Sequence, residues 1–212
     1  MAEKSQNCKI VAVWIIAIVF VMPMFFKTNS IIRDVAAKKE YHIEQIGNYV
    51  TLIGDSISEQ SQAELRDILP GVDLEAVGGI RFYDRNEFGN GGYVRLKKHA
   101  MRDLVAFLLG SNGGVTEEQL EEVYNYVGPK RKLILMTVYR GNMYDKTLIW
   151  NDRITNFAKQ HDNIYLMDWF SENTNNEKKY LIRDRLHPNE MGRKHFAEMV
   201  RKTAIKALDL TK

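Results

Sequence analysis

From residue 49 onward, short apolar runs alternate with longer stretches in which apolar positions recur every three or four residues. A run that stays apolar at successive positions suits a strand buried on both faces, and a period near 3.6 suits a helix packed on such a sheet. The runs predict strands at 49–53, 73–77, 104–109, 132–137 and 164–167. The periodic stretches predict helices at 59–69, 94–101, 117–127, 146–161 and 189–208. Strand followed by helix five times over is the signature of an α/β domain, here a three-layer α/β/α sandwich around a five-stranded parallel sheet.

The N-terminus follows another pattern. Residues 10–26, IVAVWIIAIVFVMPMFF, are 17 positions without a charge, at the short end of what spans a bilayer. Lys4 and Lys9 precede the run, and the KTNSIIRDV after it lacks the small-x-small pattern of a cleaved leader, so one uncleaved transmembrane anchor is expected. The chain then divides into a tail at 1–9, an anchor at 10–26, a partly helical stalk at 27–48 and a folded domain at 49–212. A single-pass protein of the cell membrane with an extracellular domain is the expected placement. Lys27, Arg33, Lys38 and Lys39 follow the run and count against export, which keeps a cytosol-facing domain open.

A domain of roughly 165 residues is large enough for one well-buried core. The net charge of +3, with no block of five like charges, gives no electrostatic footprint for nucleic acid, and none is expected as a partner. Cys8, the one cysteine, precedes the apolar run, so the domain cannot hold an internal disulfide. No group of His, Cys and carboxylates has metal-ligand spacing; neither a metal nor another cofactor is expected. The Gly89-Asn90-Gly91-Gly92 run lacks the Lys-Ser/Thr of a phosphate loop and reads as a flexible turn.

In open parallel sheets ligands bind beyond the carboxyl ends of the strands, and that is where polar and glycine residues gather here. Ser56 follows the first strand in the turn Gly54-Asp55-Ser56, ahead of a helix whose N-terminus favours negative charge. A serine hydroxyl needs a base to attack an ester. His187 is the candidate, since Asp184 stands three residues earlier, where its carboxylate can orient the ring and stabilise the imidazolium. His42, His99, His161 and His195 have no comparable partner nearby in sequence. Donors for a developing oxyanion are Ser56 N–H, Gly78 N–H (or Gly79) and the side-chain amide of Asn112, each after a different strand. Taken singly, each piece has a plain structural reading: a helix cap for Asp55 and Ser56, a turn for Gly78, Gly79 and Asn112. Asp55, Arg81, Tyr139, Arg140 and Trp169 are candidate substrate contacts, with Tyr83 and Trp150 as further groove aromatics; packing at the sheet rim is the alternative for the aromatic ones.

Order and spacing join the pieces. IGDSIS at 53–58, Gly78, GSNG at 110–113 and DRLHP at 184–188 resemble the successive blocks of the SGNH (GDSL) hydrolase family over residues 49–205. Within it, GSNG, Tyr139-Arg140 and Asp168-Trp169-Phe170 are most similar to the extracellular domain of bacterial peptidoglycan O-acetyltransferases. The resemblance implies a flavodoxin-like sandwich, catalysis by Ser56, Asp184 and His187, and an acetyl-enzyme that passes its acyl group to a sugar hydroxyl or to water. It implies an acetylated or acceptor cell-wall glycan as partner, and a separate membrane protein as acyl donor if the reaction is a transfer. A non-catalytic glycan-binding domain and a lipase or thioesterase remain open alternatives.

Overall fold

The computed structural model describes residues 22–83 and 91–210. The chain divides into two compact units, residues 1–42 and residues 43–212. Of the first, helix α1 (Met22–Glu44) is described, with Ile31, Ile32 and Val35 exposed. The predicted tail and residues 10–21 of the predicted anchor lie outside the described residues; residues 22–26 form the start of α1. Among the described residues no helix is long and apolar enough to cross a membrane.

The second unit contains five parallel strands: β1 (Val50–Gly54), β2 (Asp73–Ala76), β3 (Leu104–Leu108), β4 (Lys132–Met136) and β5 (Ile164–Met167). Their spatial order is β2-β1-β3-β4-β5. Between them run α2 (Ser56–Gln60), α3 (Gln62–Ile68), α4 (Gly92–Leu96), α5 (Glu117–Val127) and α6 (Tyr144–Lys159), and after them α7 (Trp169–Tyr180) and α8 (Glu190–Ala207). Two hydrophobic cores flank the sheet, as the unbroken apolar runs require. Leu52, Ala106, Leu108 and Ile134 face one core with Leu65 of α3 and Phe196, Val200 and Ala204 of α8. Ile53, Val105, Phe107 and Leu133 face the other with Leu120 and Val123 of α5 and Ile154 and Phe157 of α6. This is the expected α/β/α sandwich.

Three local differences bear on the site. Ile46 and Gly47, assigned to the stalk by the sequence, are fully packed, and Ile46 belongs to the first core. The predicted helix at 59–69 is two shorter ones that begin already at Ser56. Helix α7 has no counterpart among the predicted elements.

The strand order reverses between β1 and β3, so the loops leaving their carboxyl ends diverge and open a crevice. Thr51 to Gly54 of β1 lie in register with Val105 to Leu108 of β3, which sets the GDS turn beside the GSNG turn.

Candidate active site

Gly54 ends β1 where only hydrogen fits: a Cβ there would lie 2.2 Å from both Cβ and Oγ of Ser58. Absence of a side chain lets α2 start at once. Asp55 caps it, its Oδ1 accepting from Ile57 N–H at 3.0 Å, and Ser56 occupies the first helical position. Asp55 is fully buried, and its Oδ2 accepts a short hydrogen bond from the Ser111 hydroxyl. Burial pushes the Asp55 carboxyl above the usual range, and the bonds from Ser111 and Ile57 offset this only in part. This buried pair bolts the first loop to the third across the crevice.

The last loop supplies the candidate base. Leu181 and Pro188 form an antiparallel bridge, and Ile182 N–H donates to His187 O at 2.9 Å, closing residues 181–188 into a compact turn. Asp184 Oδ1 accepts from Leu186 N–H and His187 N–H, both at 3.0 Å, while its Oδ2 meets His187 Nδ1 at 2.6 Å. The other ring nitrogen, Nε2, stands 2.9 Å from Ser56 Oγ. Burial opposes ionisation of Asp184, but the amide and imidazole hydrogen bonds outweigh it and hold its carboxyl below the usual range. With Nδ1–H donated to an ionised carboxylate, Nε2 is the acceptor and faces the serine hydroxyl, the arrangement that generates a nucleophilic alkoxide.

Of the candidate oxyanion donors, Gly78 lies beside the serine: a Cβ added to it would sit 3.9 Å from Ser56 Cβ and 2.8 Å from Glu59 Oε2. Asn112 Nδ2 donates one hydrogen to Ile80 O at 3.1 Å, which fixes the amide next to Ser111 and leaves Nδ2 a second hydrogen. Gly79 is left-handed, with φ of 72°, and turns the chain after Gly78.

The candidate substrate contacts separate into two groups. Arg81 is exposed and lines a cavity of about 110 Å³ with Asn112, Gly113 and Tyr83. Arg140 is half-buried and donates to Ser111 O at 3.1 Å, bracing the Asn112 loop. The other three cannot reach a ligand as placed. Asp55 is sealed in as described, and Trp169 is fully buried edge-on to Phe196 in the core. Tyr139 is buried with its hydroxyl donated to Glu177, and burial together with that carboxylate pushes its pKa up to about 12. Trp150 packs over Gly114, where a Cβ would lie within 2.4 Å of the indole, and is rim packing. Two contributors were not singled out from the sequence, Ser111 and Glu177; no sequence signal marks the first beyond its place in GSNG, and the second lies in the unrecognised α7.

Solved structures with this arrangement of strands and helices are SGNH/GDSL hydrolases. One is the C-terminal catalytic domain of peptidoglycan O-acetyltransferase A from Streptococcus pneumoniae, with a TM-score of 0.66 and 17% identity over 76% of this chain and 94% of that one. The fold is that of the SGNH hydrolases. A GDSL-like lipase of Bacteroides thetaiotaomicron shares the SGNH fold with a TM-score of 0.62, 17% identity, and 82% and 97% of the two chains covered. So does a family 3 carbohydrate esterase of Clostridium thermocellum, with a TM-score of 0.56, 19% identity, and 76% and 96% covered. Among curated sequences, candidate O-acetyltransferases of Staphylococcus aureus strains COL and MRSA252 are each 26% identical over 161 residues. That match takes in 75% of this chain and 26% of theirs, so the chain spans about a quarter of the length of the curated relatives it matches. No protein-family model matches the sequence. The SGNH fold, the O-acetyltransferase relatives and the Ser56–His187–Asp184 geometry together support an esterase or O-acetyltransferase.

Proposed function

We propose that this protein is a membrane-anchored serine esterase or O-acyltransferase that moves O-acetyl groups of a cell-wall glycan through an acyl-serine intermediate. The observation that carries the chemistry is the 2.9 Å approach of His187 Nε2 to Ser56 Oγ, with Asp184 on the far side of the ring. Ser56 Oγ bonds to the acetyl carbonyl carbon as its proton passes to Nε2, and the carbonyl electron pair moves onto oxygen. The N–H groups of Ser56 and Gly78 and the Asn112 amide receive that charge; such donors are worth about 3–4 kcal/mol each. Collapse re-forms the carbonyl, breaks the bond to the departing alcohol and returns the proton to it from His187. A second hydroxyl, of water or of a sugar, then repeats the sequence in reverse and frees Ser56.

The glycan substrate is supported by the peptidoglycan and carbohydrate that two of the structural neighbours are described as acting on, and exposed Arg81 with half-buried Arg140 are the cations best placed to line its path. Residues 10–26 anchor the domain to the membrane, with the domain outside, and a separate membrane protein supplies acyl groups if the reaction is a transfer. The uncharged apolar run at 10–26 supports the anchor.

Replacement of Ser56 by Ala is expected to abolish hydrolysis of a small acetyl ester and labelling by a fluorophosphonate. Undiminished turnover in that variant sinks the assignment. Incubation with a soluble acetyl donor and a glycan acceptor separates the two reactions, since a transferase yields acetylated sugar and an esterase free acetate.

A further inference from the structure

We infer that Glu177 is a positioning residue for the Asp184–His187 pair, acting through the backbone of Arg185. The inference rests on the reading of His187 as the base for Ser56. Arg185 lies between the two partners and has φ of 60°, a left-handed conformation that a side chain with a Cβ disfavours. The turn uses it. With the chain reversed at Arg185, Asp184 Oδ1 takes both the Leu186 and His187 amides while Oδ2 reaches Nδ1.

Three contacts hold Arg185 in that conformation. Its N–H donates to Ile182 O at 3.0 Å, its carbonyl accepts from Gly141 N–H at 2.9 Å, and its Nε donates to Glu177 Oε1 at 2.9 Å. The first two are backbone bonds that any residue could make. The third is a charged tether, and it is itself fixed: Glu177 Oε2 accepts from the Tyr139 hydroxyl, so the carboxylate bridges the loop after β4 to the triad loop. Gly141 leaves the space for this bridge, since a Cβ there would lie 2.7 Å from Arg185 Nε and 2.8 Å from Glu177 Oε2. Tyr139, buried on one side and bonded on the other, is thus the fixed post to which the triad turn is tied. Glu177 touches neither serine nor histidine; its effect is on the geometry in which the histidine receives the proton.

The test measures kcat and KM separately on a small acetyl ester. Glu177→Ala is expected to lower kcat by about ten- to a hundredfold, the usual cost of a slightly misplaced catalytic group, with KM little changed. Glu177→Gln, whose amide oxygen can still accept from Arg185, is expected to recover most of that loss. Arg185→Ala, which keeps the Cβ and removes the tether, should lose kcat as Glu177→Ala does. Arg185→Gly, for which the left-handed conformation costs nothing, should lose several-fold less. Wild-type kcat in Glu177→Ala, or equal losses in the alanine and glycine variants at 185, would overturn the inference. Should Glu177→Ala melt early, the comparison at the half-exposed position 185 decides alone. Ser56→Ala is run beside them: turnover in that variant defeats the serine mechanism itself, whereas an inert Ser56→Ala with a normal Glu177→Ala defeats only the tether.

Discussion

The Asp184 carboxylate uses both oxygens, one to cap its own turn and one to hold the imidazole. The two jobs differ in what they ask of charge. An amide at 184 could still accept from the backbone N–H groups, but it could not stabilise an imidazolium or enforce the Nδ1–H tautomer. Asp184→Asn is therefore expected to fold with a modestly lower melting temperature and lose roughly 10³–10⁴ in kcat, checked by calorimetry and ester turnover. Because the folded pKa of Asp184 is depressed, the stability its ionised form contributes is complete above the ordinary carboxylate range and is lost as pH falls through that lowered value. At residue scale the triad was legible because its three members sit in short, ordered blocks. Burial was not. Nothing in Gly54-Asp55-Ser56 says that the aspartate turns to Ser111 while the serine turns to His187, and Tyr139 and Trp169 read as groove aromatics although tertiary packing puts both inside.

Helix α8 begins where it does because Asn189 caps it, its Oδ1 accepting from Gly192 N–H at 2.9 Å. Gly192 is then pressed against the chain before it: a Cβ would fall 2.0 Å from the Tyr180 carbonyl oxygen. A backbone atom cannot swing aside as a side chain can. Gly192→Ala is expected to destabilise the fold by about 1–3 kcal/mol, read as a lower urea midpoint, and to lower kcat because the shift is passed to residues 181–188. The central strands β1, β3 and β4 were readable almost to the residue, since their runs are largely apolar at successive positions and end in glycine or polar residues. Helix α7 was not, because only Trp169, Asn173 and Tyr180 of its residues are buried and no apolar stripe results. Its end signals were present all the same. Asp168 caps it, accepting from Ser171 N–H at 3.2 Å, Glu172 stands in its first turn, and Lys178 and Lys179 in its last.

At the scale of the molecule, the edge strand β2 is tied down by charge, since its residues are only partly buried. His99 bridges Asp73 at 2.9 Å and Glu75 at 2.7 Å, and Arg95 also pairs with Glu75. Burial disfavours the charged ring, but the two carboxylates outweigh it and the His99 pKa is raised above 6.5. A raised folded pKa contributes stability that is complete below the unfolded value and fades as pH rises through the folded one. His99→Ala should accordingly cost more stability at pH 6 than at pH 9, measured as urea midpoints; equal losses at both would show that the charge is irrelevant. The sheet and its order follow from patterning and short connections, whereas this lateral network joins residues whose partners no local period reveals. Ser56 and His187 are 131 positions apart, one at the first strand and one before the last helix. Activity is therefore its own assay of how far the chain has folded: a nascent or clipped chain that stops before residue 184 carries a hydroxyl with no base, and stays chemically silent.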